Sequence, residues 1–309
     1  NQYYGYIGIL PIDSFLIFNS GYDLMNGYYP FKDYWTITGV FIAFIQSILF
    51  KIFGVSWFAY IIQASIFNFI ITISTFFTLL KFKLNISYCF FYAFLVSVIA
   101  YPSSGSPYVD HQSSYMSIIS IFCFILALQT NKKIYWFILP ILLAISFLTK
   151  QAPTSHIFLI IVFLSIIFFI FNFDIKKILL GIFGSILITS MLLFLLYLGE
   201  ISLHSFFNQY ILFPLSLGES RLQFLFPLEF SRIILRFKLI HLSSIILVII
   251  CVKKILENYR NLFTNEFLIL ISLIASSYAL IIHQLMTING IFVFFIIPIL
   301  AGFSHIYFL

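Results

Sequence analysis

Charged residues are scarce in this chain, since aspartate, glutamate, lysine and arginine together make up 8% of its 309 residues. A water-soluble domain typically carries about 25%. Hydrophobic residues account for 62%, and the mean hydropathy is +1.11. This balance excludes a water-soluble fold and predicts an all-α polytopic membrane protein. The 42 phenylalanines and 19 tyrosines suit lipid-facing and interfacial positions.

Cysteine is also rare, and the three cysteines stand apart in or beside apolar runs: Cys89, Cys123 and Cys251. Isolated cysteines of this kind indicate neither a disulfide framework nor a metal site. We expect no cofactor, with a divalent cation held by carboxylates as the open alternative. The net charge of +6 is spread over short loops. It therefore predicts a lipid bilayer as a partner and no nucleic acid.

Apolar runs of about the length that crosses ~30 Å of hydrocarbon follow one another after residue 56. They lie at 57–80, 86–101, 112–129, 134–149, 156–173, 178–198, 240–252, 266–282 and 288–309. We expect about nine transmembrane helices in a single membrane domain over 1–309. Residues 1–12 are too short and polar to span, so we expect a first transmembrane helix to precede residue 1.

A further apolar run, 36–53, is interpreted from the distribution of charge. If it lies along the membrane surface, all four lysine groups fall on one side, which the positive-inside rule assigns to the cytoplasm. These groups are at 81–83, 132–133, 176–177 and 253–254. We therefore predict a juxtamembrane helix at 36–53, within an outer-face loop over 1–56. The other polar residues, including the long outer loop 199–239, gather on the opposite side. We expect a protein of the cell membrane whose site is on the outer face.

Two acids of the first loop, Asp13 and Asp33, are the candidate catalytic residues. Asp13 either caps a surface helix or acts as an acid–base group. Asp33 and Lys32 belong to an aromatic stretch, 27–35, that also suits an interfacial belt with a snorkelling lysine. Two carboxylates brought together by a helix–loop–helix can share a substrate hydroxyl or a cation. Lys32 can pair with Asp33 or bind an anionic leaving group.

Seven further substrate-binding candidates occupy the outer ends of the later runs: Asp110, His111, Lys150, Gln151, Arg221, His283 and Asn289. The adjacent Asp110 and His111 could hold a metal, orient a base or bind sugar hydroxyls, or Asp110 could cap the following helix. Lys150, followed by Gln151, has no acid beside it in the sequence. It suits either a phosphate partner or the negative end of the helix dipole.

The remaining candidates also have two interpretations. Arg221 suits either a phosphate of the substrate or an anionic lipid headgroup. His283 and Asn289 lie between the last two runs, where they would bind substrate or cap helices.

Three segments together resemble the GT-C superfamily of membrane glycosyltransferases, and within it the protein O-mannosyltransferase and aminoarabinose-transferase type. The first combines Asp13 with the stretch 27–35, which reads Gly-Tyr-Tyr-Pro-Phe-Lys-Asp-Tyr-Trp. The second is the apolar stretch ending in Phe-Lys-Ile-Phe-Gly at 50–54, and the third is Phe-Leu-Thr-Lys-Gln-Ala-Pro at 147–153.

The resemblance implies a polyprenyl-phosphate-linked sugar as donor, an outer-face site and an inverting transfer. The acceptor would be a hydroxyl or amine of a lipid, glycan or protein. Asp13 matches the catalytic acid of the first loop, and Asp33 with Lys32 matches its second polar cluster. Many members have two adjacent acids, whereas this chain has serine at 14. The alternative function is a transporter or flippase of lipid-linked glycans, which would carry ionisable residues within its spans and have broken helices.

Overall fold

The computed structural model describes residues 1–7, 11–101, 105–226, 229–288, 290 and 292–308. The described residues are 82% helical. Within the described residues the chain forms fourteen α-helices, with no β-structure beyond one isolated bridge between Pro30 and Tyr34. The helices are α1 (Gln2–Gly5), α2 (Pro11–Met25), α3 (Val40–Phe53), α4 (Trp57–Lys81), α5 (Ile86–Ile99), α6 (Val109–Thr130), α7 (Ile134–Thr149), α8 (Gln151–Phe171), α9 (Ile175–Leu198), α10 (Leu203–Phe206), α11 (Phe213–Arg221), α12 (Lys238–Glu257), α13 (Asn265–Met286) and α14 (Ile296–Phe308). The predicted all-α membrane class is confirmed.

Six helices of the described chain are long and apolar enough to cross a membrane: α4, α6, α8, α9, α12 and α13. Three other predicted spans form the shorter helices α5, α7 and α14, of 14, 16 and 13 residues. At about 1.5 Å per residue they reach roughly 20–24 Å, less than the ~30 Å of hydrocarbon. The predicted count of nine spans is therefore not confirmed. The predicted juxtamembrane segment forms α3, which is also too short to span alone and packs between α2 and α4.

Local capping chemistry sets where several helices begin. The Ser56 side chain accepts a hydrogen bond from the Ala59 backbone N–H at 3.2 Å and starts α4. The Asp174 side chain does the same for Lys176 at the start of α9. Gly54 has a φ of +76°, a conformation that other residues rarely adopt, so α3 ends there and α4 begins after the next cap.

Contacts between turns define two polar ends of the bundle. At the end that we call lysine-rich, Lys133 Nζ lies 3.8 Å from Asp174 Oδ2, and Asn265 donates a hydrogen bond to the Leu128 carbonyl at 3.1 Å. These contacts bring together the α6–α7 turn, the α8–α9 turn and the start of α13. The opposite end, called the loop end, holds the α2–α3 loop, the α7–α8 corner and the long segment between α9 and α12.

Helix α9 lies against α7 at Gly184, where a Cβ atom would come within 2.2 Å of the Phe137 carbonyl oxygen. We expect Gly184→Ala to lower the free energy of unfolding by about 1–3 kcal/mol, because the two helices must separate. Gly181→Ala is the matched control in the same helix, since its Cβ would lie 3.6 Å from the Trp136 carbonyl. The control should be neutral or stabilising by up to about 1 kcal/mol. Thermal unfolding in detergent measures both, and equal losses would contradict this packing.

Candidate functional site

A buried charged triad lies at the loop end of the bundle. The Lys150 ammonium donates hydrogen bonds to both carboxylate oxygens of Asp110, at 2.7 and 2.8 Å. His283 Nε2 lies 2.8 Å from the same Asp110 Oδ1 atom. Asp110 and His283 are only 5% and 2% exposed. The Asp110 carboxylate is thus bound on both oxygens, and its charge is balanced by Lys150.

Three helix ends bring this triad together. Asp110 lies in the first turn of α6, where the helix dipole favours a negative charge. Lys150 is the single extended residue between α7 and α8, with φ −162° and ψ 138°. His283 lies in the last turn of α13. The fold therefore gives Lys150 an acid that its neighbours in the sequence lack, and its predicted role in binding a phosphate stays a prediction.

Below the triad, four hydroxyl groups form a second buried cluster that the sequence analysis missed. Ser146 Oγ lies 2.8 Å from Thr154 Oγ1 and 2.9 Å from Ser117 Oγ. Ser113 Oγ lies 3.3 Å from Thr154 Oγ1 and contacts the Lys150 carbonyl. Serine and threonine are common in transmembrane helices as hydrogen-bonding groups between helices, so their sequence pattern gave no distinguishing signal. The cluster fixes α6, α7 and α8 around the α7–α8 corner.

The His111 ring makes no hydrogen bond to its neighbour Asp110. Its ring is 1% exposed and packs among aromatic rings, with centroids 4.8 Å from Tyr101 and 4.6 Å from Phe292. Neither ring nitrogen has a hydrogen-bond partner among the described residues. The two side chains separate because consecutive residues of a helix point in different directions. The predicted role of His111 in substrate binding stays a prediction. Asp110 instead pairs with His283, which lies 173 residues away.

Gln151 ties the first loop to the α7–α8 corner. Its side-chain amide donates hydrogen bonds to the Ile37 carbonyl at 2.8 Å and to the Tyr210 carbonyl at 2.7 Å. Two more hydrogen bonds join the same segments, since Gly39 N–H and Thr38 Oγ1 both donate to the Thr149 carbonyl. Gln151 was predicted to bind substrate. In this structure its two amide hydrogens are used to hold the α2–α3 loop and the segment 207–212 in place.

We expect Gln151→Leu to destabilise the docking of the α2–α3 loop, because it leaves the Ile37 and Tyr210 carbonyls without their donor. The cost should be about 1–3 kcal/mol. Amide hydrogen exchange of residues 36–39 measures it as faster exchange. Gln223→Leu is the control, because Gln223 is an exposed glutamine at the same end. Unchanged exchange in Gln151→Leu would show that the amide does not hold the loop.

Lys32 pairs with Glu200 rather than with Asp33. Its ammonium lies 2.9 Å from Glu200 Oε2 and contacts the Gly199 carbonyl. This hydrogen bond and the charges raise the pKa of Lys32 and lower the pKa of Glu200. The Asp33 carboxylate accepts a hydrogen bond from the Tyr29 backbone N–H at 2.7 Å. Asp33 therefore stabilises the turn that presents Lys32.

The structure gives less detail for the remaining predicted residues. Arg221 ends α11 and is exposed. Asn289 and the side chain of Asp13 lie outside the described part of the chain, although Asp13 belongs to the first turn of α2. Arg232, which was not predicted, donates a hydrogen bond to the Leu285 carbonyl at 3.1 Å and holds the segment 231–235 on the end of α13.

The described residues contain no group of three or more histidine, cysteine, aspartate or glutamate side chains that could hold a metal ion. The hydrogen-bonding and ionic groups of the loop end can instead bind hydroxyl and phosphate oxygens directly. Comparison with protein-family models, curated proteins and solved structures finds no match for this chain.

Proposed function

We propose that the chain is a membrane glycosyltransferase of the GT-C type. It moves a sugar from a polyprenyl-phosphate donor to a hydroxyl or amine on the outer face, with inversion at the anomeric carbon. One observation carries the proposal: two of the segments that resemble this superfamily, the apolar stretch that ends at 50–54 and the stretch 147–153, are hydrogen-bonded to each other. Gly39 N–H donates to the Thr149 carbonyl at 2.9 Å, and Gln151 donates to the Ile37 carbonyl. Their contact is what a single site built from both segments requires.

The outer face is assigned by charge. Three of the four lysine groups, at 132–133, 176–177 and 253–254, lie at the lysine-rich end, and the positive-inside rule puts such groups in the cytoplasm. The loop end then meets the outer leaflet, where a lipid-linked donor presents its phosphate and sugar.

The transfer needs a base and a cation. Asp13 takes the proton of the acceptor as the acceptor atom attacks the anomeric carbon. The bond between that carbon and the phosphate oxygen breaks, and polyprenyl phosphate leaves with the bonding electrons. Lys32 stabilises the charge that grows on this phosphate.

Lys32 fits the cation role better than Lys150. Its pair with Glu200 is exposed, with 37% and 82% of the two side chains accessible, so a phosphate can replace Glu200 at little cost. The pair of Lys150 with Asp110 is buried, with 18% and 8% accessible. Losing a buried partner is costly, so Lys150 is better suited to holding the corner in shape.

A transporter of lipid-linked glycans is the second candidate, and the same triad favours it. Asp110 and His283 are ionisable, buried and part of helices that are long enough to span. The α7–α8 corner also breaks the helix at Lys150 and again at Ala152, which has φ −112° and ψ 132°. Ionisable residues inside spans and interrupted helices are typical of transport pathways.

Two assays on the same membranes separate the candidates. Membranes with and without the chain are given a radiolabelled polyprenyl-phosphate sugar, and label in acceptor material is measured. In proteoliposomes, the movement of the same donor between leaflets is followed by its accessibility to an added hydrolase. We expect label transfer that depends on the chain. Movement between leaflets without transfer, over several donor sugars, would reject the enzyme in favour of the transporter.

A further inference from the structure

A polar cavity opens at the lysine-rich end, far from the triad. It has a volume of about 460 Å³ and lies between the α6–α7 turn, the α8–α9 turn and the start of α13. Four amide side chains line it, from Gln129, Asn131, Asn172 and Asn265. An amide nitrogen carries two hydrogens, and Asn172 and Asn265 each donate one of theirs to a backbone carbonyl. The remaining amide hydrogens of the wall can bind an anion through several hydrogen bonds.

Lys177 forms the inner wall of this cavity and is 5% exposed. Its ammonium donates a hydrogen bond to Asn131 Oδ1 at 2.5 Å and lies 5.0 Å from the centre of the Phe168 ring. The nearest carboxylate oxygen, Asp174 Oδ2, is 4.0 Å away. A buried ammonium needs a compensating negative charge. The Asp174 carboxylate is the nearest one to Lys177, yet it is distant and shared with another lysine.

The surrounding charges strengthen this imbalance. Asp174 Oδ2 also lies 3.8 Å from Lys133 Nζ, so one carboxylate serves two ammonium groups. Lys132 and Lys176 flank the same two turns and are exposed. Four lysines against one carboxylate leave a net charge of +3 on these two turns, over 131–133 and 172–177. An anion is the ligand that this arrangement favours.

The apolar surface next to the cavity indicates which kind of anion binds there. Helix α9 begins at this wall, and only 6% of its span is buried inside the protein. Phe171 and Phe173, on the turn beside the cavity, are 54% and 74% exposed. This apolar surface is suited to acyl chains, and the cavity at its end lies where a membrane helix meets the headgroup layer. Basic pockets between transmembrane helices at this level bind lipid phosphates.

We propose that this cavity binds the phosphate headgroup of an anionic phospholipid. The phosphate lies against Lys177 and the amide wall, and the acyl chains cover the exposed face of α9. Such a lipid joins three turns that are distant in the sequence, and it stabilises the folded chain by mass action.

The test is native mass spectrometry of the detergent-purified chain, titrated with phosphatidylglycerol, phosphatidylcholine or inorganic phosphate. We expect phosphatidylglycerol to bind most tightly. In Lys177→Met its dissociation constant should rise about fivefold or more, as expected for the loss of one lysine near the headgroups. Lys133→Met, at a half-exposed position, should also raise the dissociation constant for phosphatidylglycerol. It is the variant that tests the proposal if Lys177→Met does not fold. Lys253→Met is the control, an exposed lysine at the same end outside the cavity.

Three results would overturn the proposal. Equal binding of phosphatidylcholine would show that the anionic headgroup is not recognised. Displacement of phosphatidylglycerol by inorganic phosphate at millimolar concentration would identify a free phosphate as the ligand. An equal loss in Lys253→Met would show that general surface charge, and not the cavity, attracts the lipid.

Discussion

Replacing Asp13 with asparagine is expected to lower the rate of sugar transfer about 10²- to 10⁴-fold, which is the usual contribution of a general base. Asparagine keeps the size and polarity of the side chain, but it cannot accept the acceptor's proton. Binding of the donor should persist, because the phosphate is held by cations and not by this acid. The result to look for is therefore a fall in kcat with an unchanged KM for the donor, read from initial rates in membranes at matched protein levels.

Asp23→Asn is the matched control for this experiment. It removes a carboxylate from the same helix, α2, at a partly exposed position ten residues later. Its transfer rate should stay within about twofold of the wild type, since a change of this size is small beside one lost catalytic group. Equal losses in the two variants would assign the effect to the stability of α2. An unchanged rate in Asp13→Asn would remove this residue from the mechanism.

Most helix positions could be predicted from the sequence, because composition and charge act locally along the chain. The run predicted at 57–80 forms Trp57–Lys81, and the run at 134–149 forms Ile134–Thr149. Lysines and capping residues mark these ends, and both signals lie within a few residues of the boundary. The prediction for the last run was less accurate, since its helix begins at Ile296 rather than near 288. Apolar composition alone does not distinguish a helix from the turns that precede it.

The partners within the candidate site could not be predicted in the same way. Counting spans assigned Asp110, Lys150 and His283 to the same side, and the structure places them in contact. Their pairing depends on which helices are neighbours and how each is rotated about its axis, and neither is encoded locally. For the same reason Lys32 was considered beside Asp33 in the sequence, although its partner Glu200 is 168 residues away.

The buried triad should be the most sensitive point of the fold. Asp110→Asn removes the charge that compensates Lys150 and leaves an ammonium buried without its carboxylate. Removing one partner of a buried ion pair typically costs about 3–5 kcal/mol. We expect a loss of this size in the free energy of unfolding, measured by denaturant titration of the chain in detergent micelles. Glu200→Gln is the contrasting control, since it breaks an exposed ion pair and should leave the unfolding midpoint nearly unchanged.

A second variant separates charge from packing at this site. Asp110→Asn combined with Lys150→Met removes both charges while retaining side chains of similar size. If an uncompensated ammonium causes the loss, the double variant should recover most of the free energy of unfolding, about 3–5 kcal/mol, that Asp110→Asn loses. If the double variant is as unstable as the sum of the two single variants, the two residues contribute independently. The loss in Asp110→Asn would then come from its contact with His283. That hydrogen bond to Asp110 Oδ1 is perturbed by Asp110→Asn whether residue 150 is lysine or methionine.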